Sequence, residues 1–217
     1  MFASRALASP LARAAYRPLS TRLSARPAVF QRGQIALAST ISEAITKDHR
    51  ELEAYYNEVV NNPADIDHQT RYGNQFTWEL ARHSVAEELL VYPAMEKYMG
   101  AEGKEHAESD RKQHHRVKEL LKDFQNTDAC DSTYVPKLKS LWTVLKQHIA
   151  EEEGDDLPKL EQALRSGDSE KLAKNFGRTK AFVPSRAHPS AGEVCQFHHH
   201  HSLACLYTDL TFLEPIL

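Results

Sequence analysis

No stretch of the sequence approaches the eighteen or so consecutive apolar residues that a membrane-spanning helix needs, so no membrane span is expected. Cysteine is scarce and odd in number. Cys130, Cys195 and Cys205 form no C-x-x-C pair and no zinc-finger or disulfide spacing, and they read as free thiols in a reducing compartment. Cys130 stands close to Asp128 and Asp131, whose charges raise a thiol pKa, so a catalytic cysteine is not expected. Among only eight glycines there is no G-x-S-x-G elbow, no G-x-G-x-x-G and no phosphate-cradling loop. No segment alternates apolar and polar residues as a half-buried strand does.

Acid is missing from residues 1–42, which hold six arginines (Arg5, Arg13, Arg17, Arg22, Arg26, Arg32) and no lysine. Taking those six from the chain's 27 basic residues leaves 21 against 30 acidic ones, a formal charge of −9 on the remainder. A surface of that sign is not expected to bind nucleic acid. The opening MFASRALASPLARAAYRPLSTRLSARP, rich in Arg, Ala, Ser and Leu and without a secretory apolar run, has the composition of an amphipathic transit peptide. Import into mitochondria, to the matrix, is expected, with cleavage near residues 32–42.

What the sequence does contain is helical periodicity from about Ile41 to Leu164. A first helix runs from near Ser42 as N-cap, with Ile45, Leu52, Tyr55 and Val59 on one face, and stops before Asn62-Pro63. A second covers roughly Asp67 to Met99 and ends at Gly100. A third runs from about Lys104 to Phe124 with Val117, Leu120, Leu121 and Phe124 as its stripe. A fourth begins near Ser132, with Pro136 in its first turn, and carries Leu138, Leu141, Trp142, Leu145 and Ile149. The expected class is all-α, an up-down four-helix bundle with a disordered N-terminal presequence and an irregular C-terminal tail. The expected divisions are a presequence over 1–40, the bundle over 41–165, and a short helix (near Ser169 to Phe176) with a tail over 166–217.

One spacing occurs twice. HSVAEELLVYP holds His83, Glu87, Glu88 and Pro93; HIAEEEGDDLP holds His148, Glu152, Glu153 and Pro158. In each, His and Glu are four apart, a second Glu follows, and a Pro stands ten after the His. Residues i and i+4 share a helical face, so each pair presents an imidazole and a carboxylate to one point. The other two helices each add a histidine: His49 in the first, His114 or His115 in the third. A lone helical His is most often a surface residue, and one H-x-x-x-E an ordinary ion pair. Four helices each bearing a His, two with Glu in a repeated frame, point instead to a metal site of mixed imidazole and carboxylate donors, suited to iron, manganese or zinc rather than calcium or magnesium. The run His198 to His201 has no defined geometry. His68, His106 and His188 read as solvated, and the aromatic residues read as core, with Phe76 or Tyr92 available to wall off the metal pocket.

The His in TKDHRELEAYY, the two H-x-x-x-E-E segments with their prolines, and the His in KQHHRVKELL together resemble the hemerythrin-like, or HHE cation-binding, proteins. The resemblance implies metal ligands at His49, His83, Glu87, His114, His148 and Glu152, with His115 and Glu153 as the competing registers. Oxygen-carrying hemerythrins have a second His one turn after the helix-three His; here Lys118 stands there, leaving water or Glu119 to fill the place. The resemblance implies iron, one or two ions per chain, ahead of zinc or manganese. It further implies a small diatomic ligand or peroxide as partner, and binding or sensing rather than enzymatic turnover. Turnover, if present, would be an iron-dependent oxidoreductase or peroxidase-like activity. The alternative is a helical module that zinc or a single iron merely stabilises.

Overall fold

The computed structural model describes residues 39–188, and these are helical with no strand among them. The presequence reading, Cys195, Cys205 and the His198 to His201 run lie outside the described residues.

Helix α1 (Ile41–Asn61) opens on a capping box: Glu43 N–H donates to Thr40 Oγ1 at 3.2 Å, and Thr40 N–H to Glu43 Oε2 at 3.1 Å. The N-cap is thus Thr40 and not Ser42, because only Thr40 has an acid three residues on. Asp65 caps α2 (Ile66–Ala86) by accepting from His68 N–H. A single wide π-turn, Glu87–Val91, joins α2 to α3 (Tyr92–Gln125). After a short loop come α4 (Tyr134–Glu151), a second π-turn over Glu152–Asp156, α5 (Leu157–Ala163) and α6 (Asp168–Lys180).

The two π-turns occupy the same place in the repeated motif, and the prolines account for them. Pro93 and Pro158 lack an N–H, and their rings crowd the carbonyl four residues earlier. The chain widens just before each: Tyr92 N–H reaches Glu87 C=O and Leu157 N–H reaches Glu152 C=O, five residues back. Each proline then falls in the first turn of the following helix, where no donor is needed.

Helix α3 turns back on itself at Gly100, which adopts φ 66° and ψ −130°. Its first arm extends the α2 rod and its second arm, from Ala101, forms the third rod, as Gly100 predicts. The legs approach closely: a Cβ on Gly103 would lie 2.0 Å from the Met95 carbonyl oxygen.

The apolar core comes in two parts, one on each side of a polar layer. Leu52, Val59, Phe76, Leu80, Val117, Leu121, Phe124, Leu138, Leu141 and Leu145 fill one end; Ile41, Ile45, Val91, Tyr92, Met95, Ala107, Leu157, Leu160, Leu172 and Phe176 fill the other. Along every rod the histidine falls between the two groups. Large side chains withdrawn from water contribute roughly 1.5–3 kcal/mol each, so two dry ends hold a charged middle in place. Helix α6 closes the second group and is fastened to the start of α1, where Ser169 Oγ accepts Ile41 N–H at 2.9 Å.

Candidate metal centre

His49 comes from α1, His83 from the end of α2, His114 from the second arm of α3 and His148 from α4. Glu87 and Glu152 are the first residues of the two π-turns. The structure brings all six together, and none is more than 1% exposed. Glu87 Oε2 lies 3.1 Å from His83 Nε2 and 3.4 Å from His114 Nε2. Glu152 Oε2 lies 3.4 Å from His49 Nε2 and 3.8 Å from His148 Nε2. The ring centroids are 4.9 Å apart in the His49/His83 pair and 4.6 Å apart in the His114/His148 pair, whose Nε2 atoms are 2.9 Å apart. Each carboxylate faces one imidazole of each pair. Two donor triads result, His49/His83/Glu87 and Glu87/His114/His148, with Glu87 in both.

The competing registers separate cleanly. His115 is exposed and pairs with Glu119, while His114 is buried. Glu119 is itself exposed and bound to Arg116, so it does not fill the place of the absent imidazole. Glu153 lies outside the centre, against His49 Nδ1 and Arg50.

Outside the six, each Nδ1 meets a side-chain oxygen from another rod. Glu153 Oε1 stands 2.8 Å from His49 Nδ1, Asp48 Oδ2 3.3 Å from His83 Nδ1, Glu88 Oε1 3.2 Å from His114 Nδ1, and Gln113 Oε1 3.0 Å from His148 Nδ1. With an oxygen facing each Nδ1, the ring proton is assigned there and Nε2 turns inward. Three of these oxygens belong to carboxylates with a cation behind them. Arg50 pairs with Glu153, Lys180 with Asp48, and Lys118 Nζ stands 3.0 Å from Glu88 Oε1. Gln113 is the one neutral member. Lys118 therefore does not replace the absent imidazole as a donor; its buried ammonium holds the carboxylate that orients His114.

The inward atoms are poorly served by the protein itself. His49 Nε2, His83 Nε2 and all four oxygens of Glu87 and Glu152 are buried without a hydrogen-bond partner. A buried polar atom left this way costs about 1–3 kcal/mol, and six such atoms in one layer are not a stable arrangement unless something binds them. Burial, then Glu152 and Asp48, raise the Glu87 pKa far above the carboxylate range. Burial also opposes charge on His49, but Glu152 and Glu153 outweigh it and hold its pKa up at about 9. At His148, burial and the nearby His114 push it down to about 3. Two carboxyls and four imidazole Nε2 atoms face one volume, and once their protons are displaced this donor set fits a coordinated cation of intermediate softness.

Two aromatic rings close the centre. Tyr92 is fully buried, and its hydroxyl lies 2.9 Å from His114 Nε2. Phe176 of α6 sets its edge against His83 with centroids 6.0 Å apart. Phe76 instead packs in the far apolar cluster, edge-on to Phe124 and Trp142. The ring-orienting roles of Asp48, Glu88 and Gln113, and the parts played by Lys180 and Phe176, escape sequence reasoning. The first three leave a faint signal, since each directly adjoins a motif residue but serves a different helix. His68 and His106 are not simply solvated: both are about three-quarters buried and paired with acids, Glu58 and Asp156 respectively.

The profile of the hemerythrin HHE cation binding domain matches residues 40–160, which span all four rods and all six inward residues. The chain is similar to an uncharacterised hemerythrin-like protein of Schizosaccharomyces pombe, 52% identical over 151 residues, covering 70% of this chain and 74% of that protein. A DNA nickase of a Nostoc species is 24% identical over 148 residues; the match covers 67% of this chain and only 40% of that enzyme. The crystal structure of a hemerythrin HHE cation binding domain-containing protein from Mycobacterium kansasii aligns with a TM-score of 0.56 at 20% identity, covering 66% of this chain and 88% of that one, and so shares the fold. A matching profile over more than half of the sequence and a relative at 52% identity place this chain in the hemerythrin HHE cation-binding family.

Proposed function

We propose that His49, His83, Glu87, His114, His148 and Glu152 hold one or two non-haem iron ions, and that the protein binds or senses dioxygen, nitric oxide, peroxide or iron itself in mitochondria. The observation that carries this reading is the inward set: four imidazoles in two pairs, with two unpartnered carboxylates each facing both pairs. Glu87 and Glu152, each facing one imidazole of each pair, would hold one ion or two. A closed tetrahedral zinc site uses four donors, whereas six converge here. Iron held by these residues would supply a redox-active Lewis acid. The chain's own residues orient the rings through Nδ1, exclude water with the two apolar clusters, and keep a phenol hydroxyl at the edge of His114. Lys118 in place of a further imidazole supports one ion with fewer protein donors. The Arg-rich, acid-free opening supports the mitochondrial assignment.

The test is metal analysis and absorption spectroscopy of the purified full-length protein, reduced without air and then exposed to it. About one or two iron ions per chain, with a charge-transfer band that appears on exposure, is the expected result. Stoichiometric zinc with no such band would overturn it in favour of a module that the metal only stabilises.

A further inference from the structure

The ligand-type residues do not stop at the centre. On α3, His106, Asp110 and His114 follow one another at four-residue steps and share a face; on the fourth rod, His148, Glu152 and Asp156 do the same. The inner rungs, His114, His148 and Glu152, belong to the centre. The outer rungs meet nearer the surface, where His106 Nδ1–H donates to Asp156 Oδ1 at 2.6 Å. That contact turns His106 Nε2 outward, as a carboxylate behind a metal-ligating imidazole does. Glu102 Oε1 lies 3.6 Å and Asp155 Oδ2 3.9 Å from the same Nε2.

A cation already sits among these three acceptors. The Lys159 ammonium is 2.8 Å from Glu102 Oε1, 2.8 Å from Asp155 Oδ2 and 3.4 Å from His106 Nε2. Behind the cluster, Asp110 is 2% exposed and its Oδ2 has no hydrogen-bond partner. On α3 Asp110 stands one turn from His106 of the outer cluster and one turn from His114 of the centre, on the face they share.

We infer that His106 Nε2, Asp155 and Glu102 form a second, outer site for a divalent transition-metal ion. Asp156 orients the imidazole, Lys159 closes the site, and Asp110 links it to Glu152 so that the ion passes inward. This rests on the reading that the buried centre takes a metal. Six donors at 0–1% exposure are reached only through protein, and an ion stripped of water in one step would meet a large desolvation cost. A ladder of carboxylates divides that step. One imidazole with two carboxylates favours ferrous, manganous or zinc ions over calcium. The Lys159 side chain is 37% exposed and flexible, so its head can leave as the ion arrives.

The experiment uses the full-length chain stripped of metal, with ferrous uptake timed anaerobically and zinc titrated at equilibrium. His106→Ala should lose one zinc ion relative to wild type, while Asp110→Asn keeps it; the histidine run is common to all variants and cancels. Both variants should fill the centre about tenfold more slowly or worse, to an unchanged final iron content, and Lys159→Met should fill it faster than wild type. Circular dichroism and His106→Gln guard against a folding artefact. Wild-type uptake rates in His106→Ala and Asp110→Asn would overturn the transit role, and unchanged zinc stoichiometry in His106→Ala would overturn the site. A His83→Ala/Glu152→Gln protein that still binds the His106-dependent ion shows the outer site independently of the centre. Loss of that ion on emptying the centre counts against it.

Discussion

Asp48 precedes His49 in the chain but orients His83, its Oδ2 3.3 Å from that residue's Nδ1. The same displacement recurs around the bundle. Glu88, beside Glu87 on the second rod, holds His114 of the third; Gln113, beside His114, holds His148 of the fourth; Glu153, beside Glu152, returns to His49 of the first. Each rod sets the ring of the next, and the circuit closes. Because every contact crosses between helices, the donor geometry and the packing of the bundle are one property.

Removing Glu88 tests that circuit. Glu88→Ala takes from the buried Lys118 ammonium the carboxylate that stands 3.0 Å away, and should lower stability. Pairing it with Lys118→Met should restore most of the stability in denaturant titrations but not the metal affinity, which should stay about 10–100-fold low. If affinity returns together with stability, Glu88 does not orient His114.

Glu87→Gln separates the cost of the centre from its use. With metal withheld, the variant should be more stable than wild type, since it replaces a buried carboxyl whose ionisation burial and Glu152 oppose. With metal supplied the order should reverse, by about 3–4 kcal/mol at saturating ion. His148→Ala should likewise lower bound metal and melting temperature together, and His198→Ala should change neither. Calorimetry with and without chelator reads both signs; an unchanged iron content in Glu87→Gln and His148→Ala would remove these residues from the site.

Tyr134, far from the centre, should make the bundle sensitive to alkali. Burial, then Asp128, push its hydroxyl up to about 12, and the hydroxyl donates to the Gln69 carbonyl. The folded form retains the phenol proton longer than the unfolded chain, whose pKa is near 10. The contribution is intact below pH 10 and falls as pH rises toward 12, by about 2–3 kcal/mol. Tyr134→Phe should flatten that decline. Gly73→Ala should destabilise at every pH, because its Cβ would fall 1.8 Å from the Tyr134 oxygen.

Residues 1–42 fused to a fluorescent reporter should carry it into mitochondria, and Arg5→Glu, Arg13→Glu and Arg17→Glu together should leave it outside. Import of the triple variant would refute the presequence reading.

The inward face of the centre was legible because it obeys local spacing. An imidazole and a carboxylate four apart in a helix must share a side, and a motif that occurs twice betrays itself. Gly100 marks the end of the second helix by an equally local rule. The circuit behind the rings was not legible, since Asp48 and Gln113 serve partners 35 residues away and Glu88 one 26 residues away, on other helices. The π-turns were half visible: Pro93 and Pro158 announce a disturbance, but whether the backbone kinks, stops or widens depends on which donors remain. Apolar periodicity alone puts the N-cap at Ser42, two residues late, because it does not weigh the Thr40/Glu43 pair.

Helix α6 carries a consequence for where this unit ends. The family match stops at residue 160, yet Lys180 reaches back to balance Asp48, and Phe176 lies against His83. A protein trimmed after the fourth rod would keep every inward donor and still expose one imidazole to solvent and strand one acid without its counter-charge. The thirteen residues of α6 are therefore part of the inorganic chemistry, and grafting the four rods alone onto another protein would transplant the ligands without the conditions under which they act.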